Sequence, residues 1–205
     1  MTPAASFRIE KAAEADFPTR FGQFRICGFQ GHYADRVEEA AVLIMGDVDR
    51  GAPPLVRIHS QCLTGDVFHS LRCDCRSQLE LSLKQIAAEG RGVLIYEMQE
   101  GRGIGLINKL RAYALQDEGA DTVEANQALG FEADLRNYEL PGAILRHLGL
   151  ENVRLLSNNP EKIEALEKAG VHVAERVPCI APPLDTTEDY LRTKKEKLGH
   201  LLEGF

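Results

Sequence analysis

Three cysteines within fourteen residues, Cys62, Cys73 and Cys75, form a C-x10-C-x-C set in the run His59-Ser-Gln-Cys-Leu-Thr-Gly-Asp66 and onward to Cys75. Thiolates are soft ligands that favour zinc over magnesium or calcium, and zinc takes four tetrahedral ligands. A fourth ligand from His59 or His69 would close the site and make it structural. A position left to water would make it catalytic, because zinc lowers the pKa of bound water to about 7. Spacing leaves both open, beside the plainer alternative of cysteines buried as core residues. Cys27, in a strand-like run, and Cys179, beside Ala181-Pro-Pro183, are read as structural. Five cysteines, an odd number, argue against a disulfide framework.

Two further runs could hold an anion. Glu100-Gly-Arg-Gly-Ile-Gly105 follows an apolar run and precedes a helical pattern; at such a junction unpaired N–H groups and the helix dipole attract phosphate. Its glycines are spaced G-x-G-x-G rather than G-x-G-x-x-G, a weak dinucleotide signal, and a tight turn is the alternative. Ser157-Asn-Asn-Pro-Glu-Lys162 offers a hydroxyl, helix N-terminal amides and a point charge at Lys162; simple helix capping is its alternative. Two such loops and a cysteine cluster together point to metal-assisted hydrolysis of a phosphorylated small molecule. The net charge of −7 excludes the broad basic footprint of a nucleic-acid binder, so a few local cations must hold any anion.

These residues need a scaffold. A chain of 205 residues with 44% hydrophobic and 27% charged residues fits one globular domain over residues 1–205. Residues 23–29, 40–46 and 55–59 read as strands between turn residues. A helix over 78–89 is expected, opened by a Ser77-x-x-Glu80 capping box and closed by Gly90. Then follow a strand over 92–98, helices over 105–118 and 141–147, a strand over 153–156, a helix to Gly170 with Asn159 as N-cap and Pro160 at its first position, and a strand over 171–177. The fold class is α/β with α+β character: a β-rich N-terminal half followed by βα units around a mixed sheet. The charged tail 186–205 reads as a surface helix without chemistry. The longest aliphatic run, 40–45, is far below a membrane span of about 18 residues, and residues 1–8 lack the apolar core of a signal peptide. A soluble, cytoplasmic protein with no membrane partner is expected.

With Leu71-Arg-Cys-Asp-Cys75, Gln99-Glu-Gly-Arg-Gly-Ile-Gly-Leu106, Arg111-Ala-Tyr-Ala-Leu-Gln-Asp117, Asp121-Thr-Val-Glu-Ala-Asn126 and Gly130-Phe-Glu-Ala-Asp134, the chain resembles GTP cyclohydrolase II over residues 17–201. That family begins riboflavin synthesis. The resemblance implies that GTP and water give formate, pyrophosphate and a diaminohydroxypyrimidine carrying ribosylamine 5′-phosphate. The imidazole ring opens at C8, and the triphosphate is cleaved between its α- and β-phosphorus atoms.

The resemblance further implies a catalytic zinc on Cys62, Cys73 and Cys75, with Asp134 as proton acceptor. Arg136 would be either the nucleophile toward the α-phosphorus or, since a guanidinium stays protonated, a phosphate clamp. Tyr113 would lie near the reacting ring. Arg57, Ile58, His59, Ser60, Gln61, Gln78, Glu100, Gly101, Arg102, Thr122, Ser157 and Lys162 would bind the nucleotide, Glu100 reading guanine N1–H and N2–H₂. Magnesium on the triphosphate, a homodimer and the stand-alone form without a fused dihydroxybutanone-phosphate synthase domain are also implied. Three positions depart from the family pattern: Gln61 stands where Glu is expected, Arg76-Ser77 where Gly and a bulkier residue are common, and Ser157 where Thr is expected. Arg76 could add a phosphate contact. The rival readings are a dinucleotide-dependent oxidoreductase and a non-enzymatic nucleotide-binding or zinc-stabilised module.

Overall fold

Alternation in the first half builds one antiparallel ribbon. Strand β1 (Arg8–Thr19) pairs with β2 (Gly22–His32), and β2 with β3 (Val37–Met45), in a register that sets Cys27 opposite Val42 and Phe29 opposite Ala40 on one buried face. Strands β4 (Leu55–Ser60) and β5 (Gly92–Glu97) are buried on both faces: Val93, Leu94 and Ile95 of β5 run on without polar alternation, whereas in β4 Val56 and Ile58 alternate with the buried Arg57 and His59. With β6 (Asn152–Leu156) and β7 (His172–Val177) they complete a seven-stranded mixed sheet, ordered β1-β2-β3-β5-β4-β6-β7. The first four in that order pair antiparallel, and β5, β4, β6 and β7 pair parallel. This computed structural model describes residues 7–132, 134–181, 192, 194–196 and 199–202.

Helix α2 (Cys75–Glu89) crosses from β4 to its parallel neighbour β5 and packs Leu83 and Ile86 on one face of the sheet, against Phe24, Leu55 and Leu94. On the other face, α5 (Glu139–His147) and α6 (Pro160–Lys168) bring Leu140, Ile144, Leu145 and Leu166 onto Val56, Ile58, Val93 and Ile95. The chain leaves β4 for β5 on one side and returns to β6 on the other. The carboxyl ends of β5, β4 and β6 therefore open onto a shared crevice, the usual ligand position in such sheets.

Helix α1 (Leu63–Asp66), a 3-10 turn (Glu100–Gly103), α3 (Gly105–Asp117) and α4 (Thr122–Ala128) surround that crevice. The α/β class and mixed sheet are those expected, but several local expectations are corrected. Ser77 is inside α2 rather than capping it: the helix starts at Cys75, because Glu80 is drawn to Arg76 (2.6 Å) and Arg20 (2.5 Å). A full capping box does occur at Asp121, whose carboxylate accepts from the Val123 and Glu124 backbones while Glu124 accepts from the Asp121 backbone. Strand β1 carries no sequence signal, being an exposed, charged edge strand with no apolar alternation. No helix among the described residues is long and apolar enough to cross a membrane. Most of the expected tail helix lies outside the described residues, but Lys194 and Leu202 are buried, which a solvated surface helix would not require.

Candidate active site

The turn after β4 and the start of α2 bring the three cysteines together. Their sulfurs lie within 4.8 Å of one another, and Cys62 Sγ is 3.6 Å from Cys73 Sγ. Tetrahedral zinc with bonds of about 2.3 Å separates its sulfurs by about 3.8 Å, so the set fits the ion. The cradle depends on Gly65: a Cβ there would meet Cys73 Sγ at 2.8 Å, Cys75 Cβ at 3.1 Å and Cys62 Sγ at 3.2 Å. Neither candidate histidine joins as a fourth ligand among the described residues. His59 instead faces Asp66, with Nε2 at 3.1 and 3.2 Å from the two carboxylate oxygens. A carboxylate only accepts, so Nε2 carries the proton and Nδ1, buried without a protein partner, is an acceptor. Burial, partly offset by Asp66, pushes the His59 pKa down. Asp66 also accepts from the Cys62 backbone (3.0 Å) and Tyr96 OH (2.8 Å), fixing the entry to the cysteine turn.

Hydrogen bonds from Cys73 and Cys75, helped by the Lys109 ammonium, hold the Cys62 pKa far below its ordinary value. The same bonding to Cys62 pushes Cys73 up to about 11 and Cys75 well above the usual thiol range. Lys109 Nζ donates to Cys62 Sγ (3.0 Å) and Glu100 Oε1 (2.7 Å). Glu100 also accepts from the backbones of Leu63 (2.6 Å, at Oε2) and Gly101 (3.0 Å, at Oε1). Tyr113 OH lies 3.1 Å from Thr64 Oγ1, itself 3.7 Å from Cys62 Sγ.

The glycine-rich turn lines the cavity and is shaped by its neighbours. Gly101 and Arg102 adopt φ of 62° and 60°, and a Cβ on Gly103 would strike Leu135 Cβ at 3.0 Å. This close approach lets Leu135 N donate to Arg102 O (3.0 Å). Gln99 acts similarly through its side chain, donating to Asn137 O (2.8 Å) and accepting from Asn137 N (3.2 Å). The two clasps fix residues 134–137, which have no regular structure of their own.

Within that clasp the Arg136 fork grips Asp134, with Nε at 2.9 Å from Oδ1 and an Nη at 2.5 Å from Oδ2, while Arg102 lies 3.5 Å from the same carboxylate. Burial opposes ionisation of Asp134, but Arg136 and Arg102 outweigh it and hold its pKa below the ordinary value. Burial likewise opposes the charge of Arg136, and Asp134 outweighs it and raises the guanidinium pKa.

Lys162 is buried at the first turn of α6 and donates to Ile58 O (2.9 Å). Burial, then Arg57 and Arg136, push its pKa well down. Asn159 caps α6 by accepting from Glu161 N (3.0 Å), and the Ser157 hydroxyl accepts from Asn159 N (3.1 Å). Arg57 donates to Leu156 O (2.9 Å) and Gln78 Oε1 (2.6 Å).

One cavity joins these groups. It is lined by Arg57, His59, Ser60 and Gln61, the three cysteines, Gln78, Glu100, Gly101 and Arg102, Tyr113, Arg136, Ser157 and Lys162. Two expected site residues, Ile58 and Asp134, are not in that lining. The Ile58 side chain points into the core and only its carbonyl reaches Lys162. Asp134 stands behind Arg136 and Arg102, and the Thr122 side chain lies outside the described residues. Arg76 turns away from the cavity and donates to Asp66 O (2.6 Å) and Glu80. Sequence reasoning missed Asp66, Lys109, Lys194 and His200. Asp66 was legible only as part of the quoted Gly-Asp run, and the others are single polar residues in helical or charged stretches.

Residues 10–178 match the family model described as GTP cyclohydrolase II. The chain is 55% identical over 195 residues to GTP cyclohydrolase-2 of Actinobacillus succinogenes, covering 95% of this chain and 89% of that protein. It is also 55% identical over 195 residues to the riboflavin biosynthesis protein RibBA of Bacillus subtilis, covering 95% of this chain and 48% of that longer protein. A third relative, GTP cyclohydrolase-2 of Histophilus somni, is 54% identical over 195 residues, covering 95% of this chain and 89% of that protein. The thiol cluster, the clasped arginines and this likeness along nearly the whole chain lead to one conclusion: the chain belongs to the GTP cyclohydrolase II family.

Proposed function

We propose how the labour of GTP hydrolysis, the reaction of this family in riboflavin biosynthesis, is divided among the residues of the cavity. The observation that carries the reading is the convergence of three thiol sulfurs on a glycine-lined cradle in the same cavity as Arg102, Arg136 and Lys162. Cys62, Cys73 and Cys75 would hold zinc. When bound, zinc supplies a Lewis acid that makes water a nucleophile near neutral pH, suited to opening the ring at C8. Lys109 offsets the thiolate charge at Cys62 and holds Glu100. Because Oε1 already accepts from Lys109 and Gly101 and Oε2 from Leu63, the carboxylate lacks the two acceptors needed to grip guanine N1–H and N2–H₂ together, and Glu100 acts on the cysteine turn. Tyr113, tied to Thr64, presents a phenol beside the ring-opening end.

At the phosphate end, Arg136 stays protonated in its fork on Asp134, so it acts as a charge on the phosphorus centre rather than as a nucleophile. Asp134, held ionised between two guanidiniums, orients that charge and is a weak proton acceptor. Arg57, Gln61, Gln78, Gly101, Ser157 and Lys162 would complete the nucleotide site with His59 and Ser60. Ile58 contributes only through its carbonyl. Magnesium would travel with the triphosphate and offset its charge. A homodimer and a cytoplasmic setting are proposed on the family resemblance. The test is incubation with GTP, magnesium and zinc, following formate and pyrophosphate separately, with elemental analysis of protein purified without added metal. About one zinc per chain and equal yields of both products are expected; formate release undiminished without any metal would overturn the assignment of the cysteines.

A further inference from the structure

The family match ends at residue 178, yet two cavity residues come from beyond it. Lys194 is 7% exposed and donates from Nζ to Asp74 Oδ1 (2.8 Å), the residue between Cys73 and Cys75. Asp74 also accepts from Gln78 Nε2, which ties this contact to a cavity residue. His200 lines the same cavity, and its neighbour Leu201 donates from the backbone to Asn158 O (2.8 Å), in the loop between Ser157 and Lys162. The C-terminal residues thus touch both the cysteine turn and the Ser157 loop.

Charge indicates which part of the nucleotide they meet. Burial, then Lys194, Arg102, Arg136 and Lys162, push the His200 pKa down to about 3. His200 shares the cavity lining with four basic side chains, Arg102, Arg136, Lys162 and Lys194; Asp74 pairs with Lys194, and Asp134 with both arginines. A protein of net charge −7 concentrates cations in this way where an anion is to be held.

We infer that Lys194 and His200 belong to the polyphosphate end of the nucleotide site, Lys194 as a phosphate-binding cation and His200 as a hydrogen-bonding group among Arg102, Arg136 and Lys162. The inference rests on the GTP-hydrolysing reading of the cavity and extends it to a segment that reading leaves out. The test measures binding of two separate probes, magnesium pyrophosphate and guanosine, by calorimetry to the zinc-loaded protein, with formate release from GTP by the unmodified protein as control.

Lys194→Gln should weaken pyrophosphate binding roughly 10-fold or more, the scale of a charge-assisted hydrogen bond. Guanosine affinity and zinc content should stay as they were, and Lys194→Arg should restore pyrophosphate binding. His200→Ala should weaken pyrophosphate more than guanosine, and it carries the same test should Lys194→Gln not fold. Unchanged pyrophosphate affinity in both variants would overturn the inference, as would equal loss of both probes. Failure of the unmodified protein to release formate would instead defeat the reading of the activity.

Discussion

Replacing Gly65 by alanine tests the cradle itself. The backbone of Gly65 is helical, within α1, so the change relieves rather than strains it: alanine is favoured over glycine in a helix by about 1 kcal/mol. The added Cβ is the difficulty, since it would stand 2.8 Å from Cys73 Sγ and 3.2 Å from Cys62 Sγ. Without metal, the cysteine side chains can rotate away, and thermal stability should change little or rise slightly. With metal bound, the sulfurs cannot move without leaving the ion, so their crowding falls on the holo state, while the 3.1 Å approach to Cys75 Cβ is common to both states. Overpacking of this kind costs about 1–3 kcal/mol, which converts to roughly 5- to 150-fold weaker zinc affinity. The assay is competition for zinc with a chromophoric chelator, beside thermal unfolding of the apo protein. Unaltered zinc affinity in Gly65→Ala would refute the reasoning, as would an apo protein destabilised as much as the holo form.

Arg136→Ala should keep zinc but lose pyrophosphate release by roughly 10²–10³-fold, the cost of removing one group that stabilises transition-state charge; normal pyrophosphate release, measured directly, would make Arg136 a structural cation. Glu100→Ala strips acceptors from Leu63 N and Lys109, so zinc affinity and formate release should fall while preference for GTP over ATP persists; loss of discrimination on the order of 10⁴-fold would return Glu100 to the guanine edge. His200 has a folded pKa of about 3 against an ordinary 6.5, so the unfolded chain takes up its proton first: the stability it contributes is present above pH 6.5 and is lost as pH falls toward 3. His200→Gln should therefore flatten the decline of denaturant midpoint between pH 7 and pH 4, and an unchanged slope would contradict this burial. Asp134 runs through a lower window, its contribution being present above 3.8 and lost in stronger acid, so Asp134→Asn should leave stability at pH 8 reduced but less sensitive to acid below pH 4.

Residue chemistry and spacing alone were enough for the outline. The thiols of Cys62, Cys73 and Cys75 announce a soft metal, Asn159-Pro160 announces a helix start, Gly90 its stop after α2, and the apolar run at β5 a strand buried on both faces, because each signal is carried by neighbours along the chain. Fold class and family followed from such local signals in order.

What only the tertiary structure decided involves groups far apart in sequence. Nothing in the run Glu100–Gly105 says that Gly103 lets the backbone press against Leu135, or that Glu100 accepts from Leu63 and Lys109. Nothing local marks Asp66 as the anchor of His59, Cys62 and Tyr96, or Lys194 as the partner of Asp74 across 120 positions of chain. A hydrogen bond or ion pair depends on angstroms in space, and a sequence records only order along the backbone. The roles of buried polar residues therefore become legible once the sheet has brought the ends of β5, β4 and β6 together.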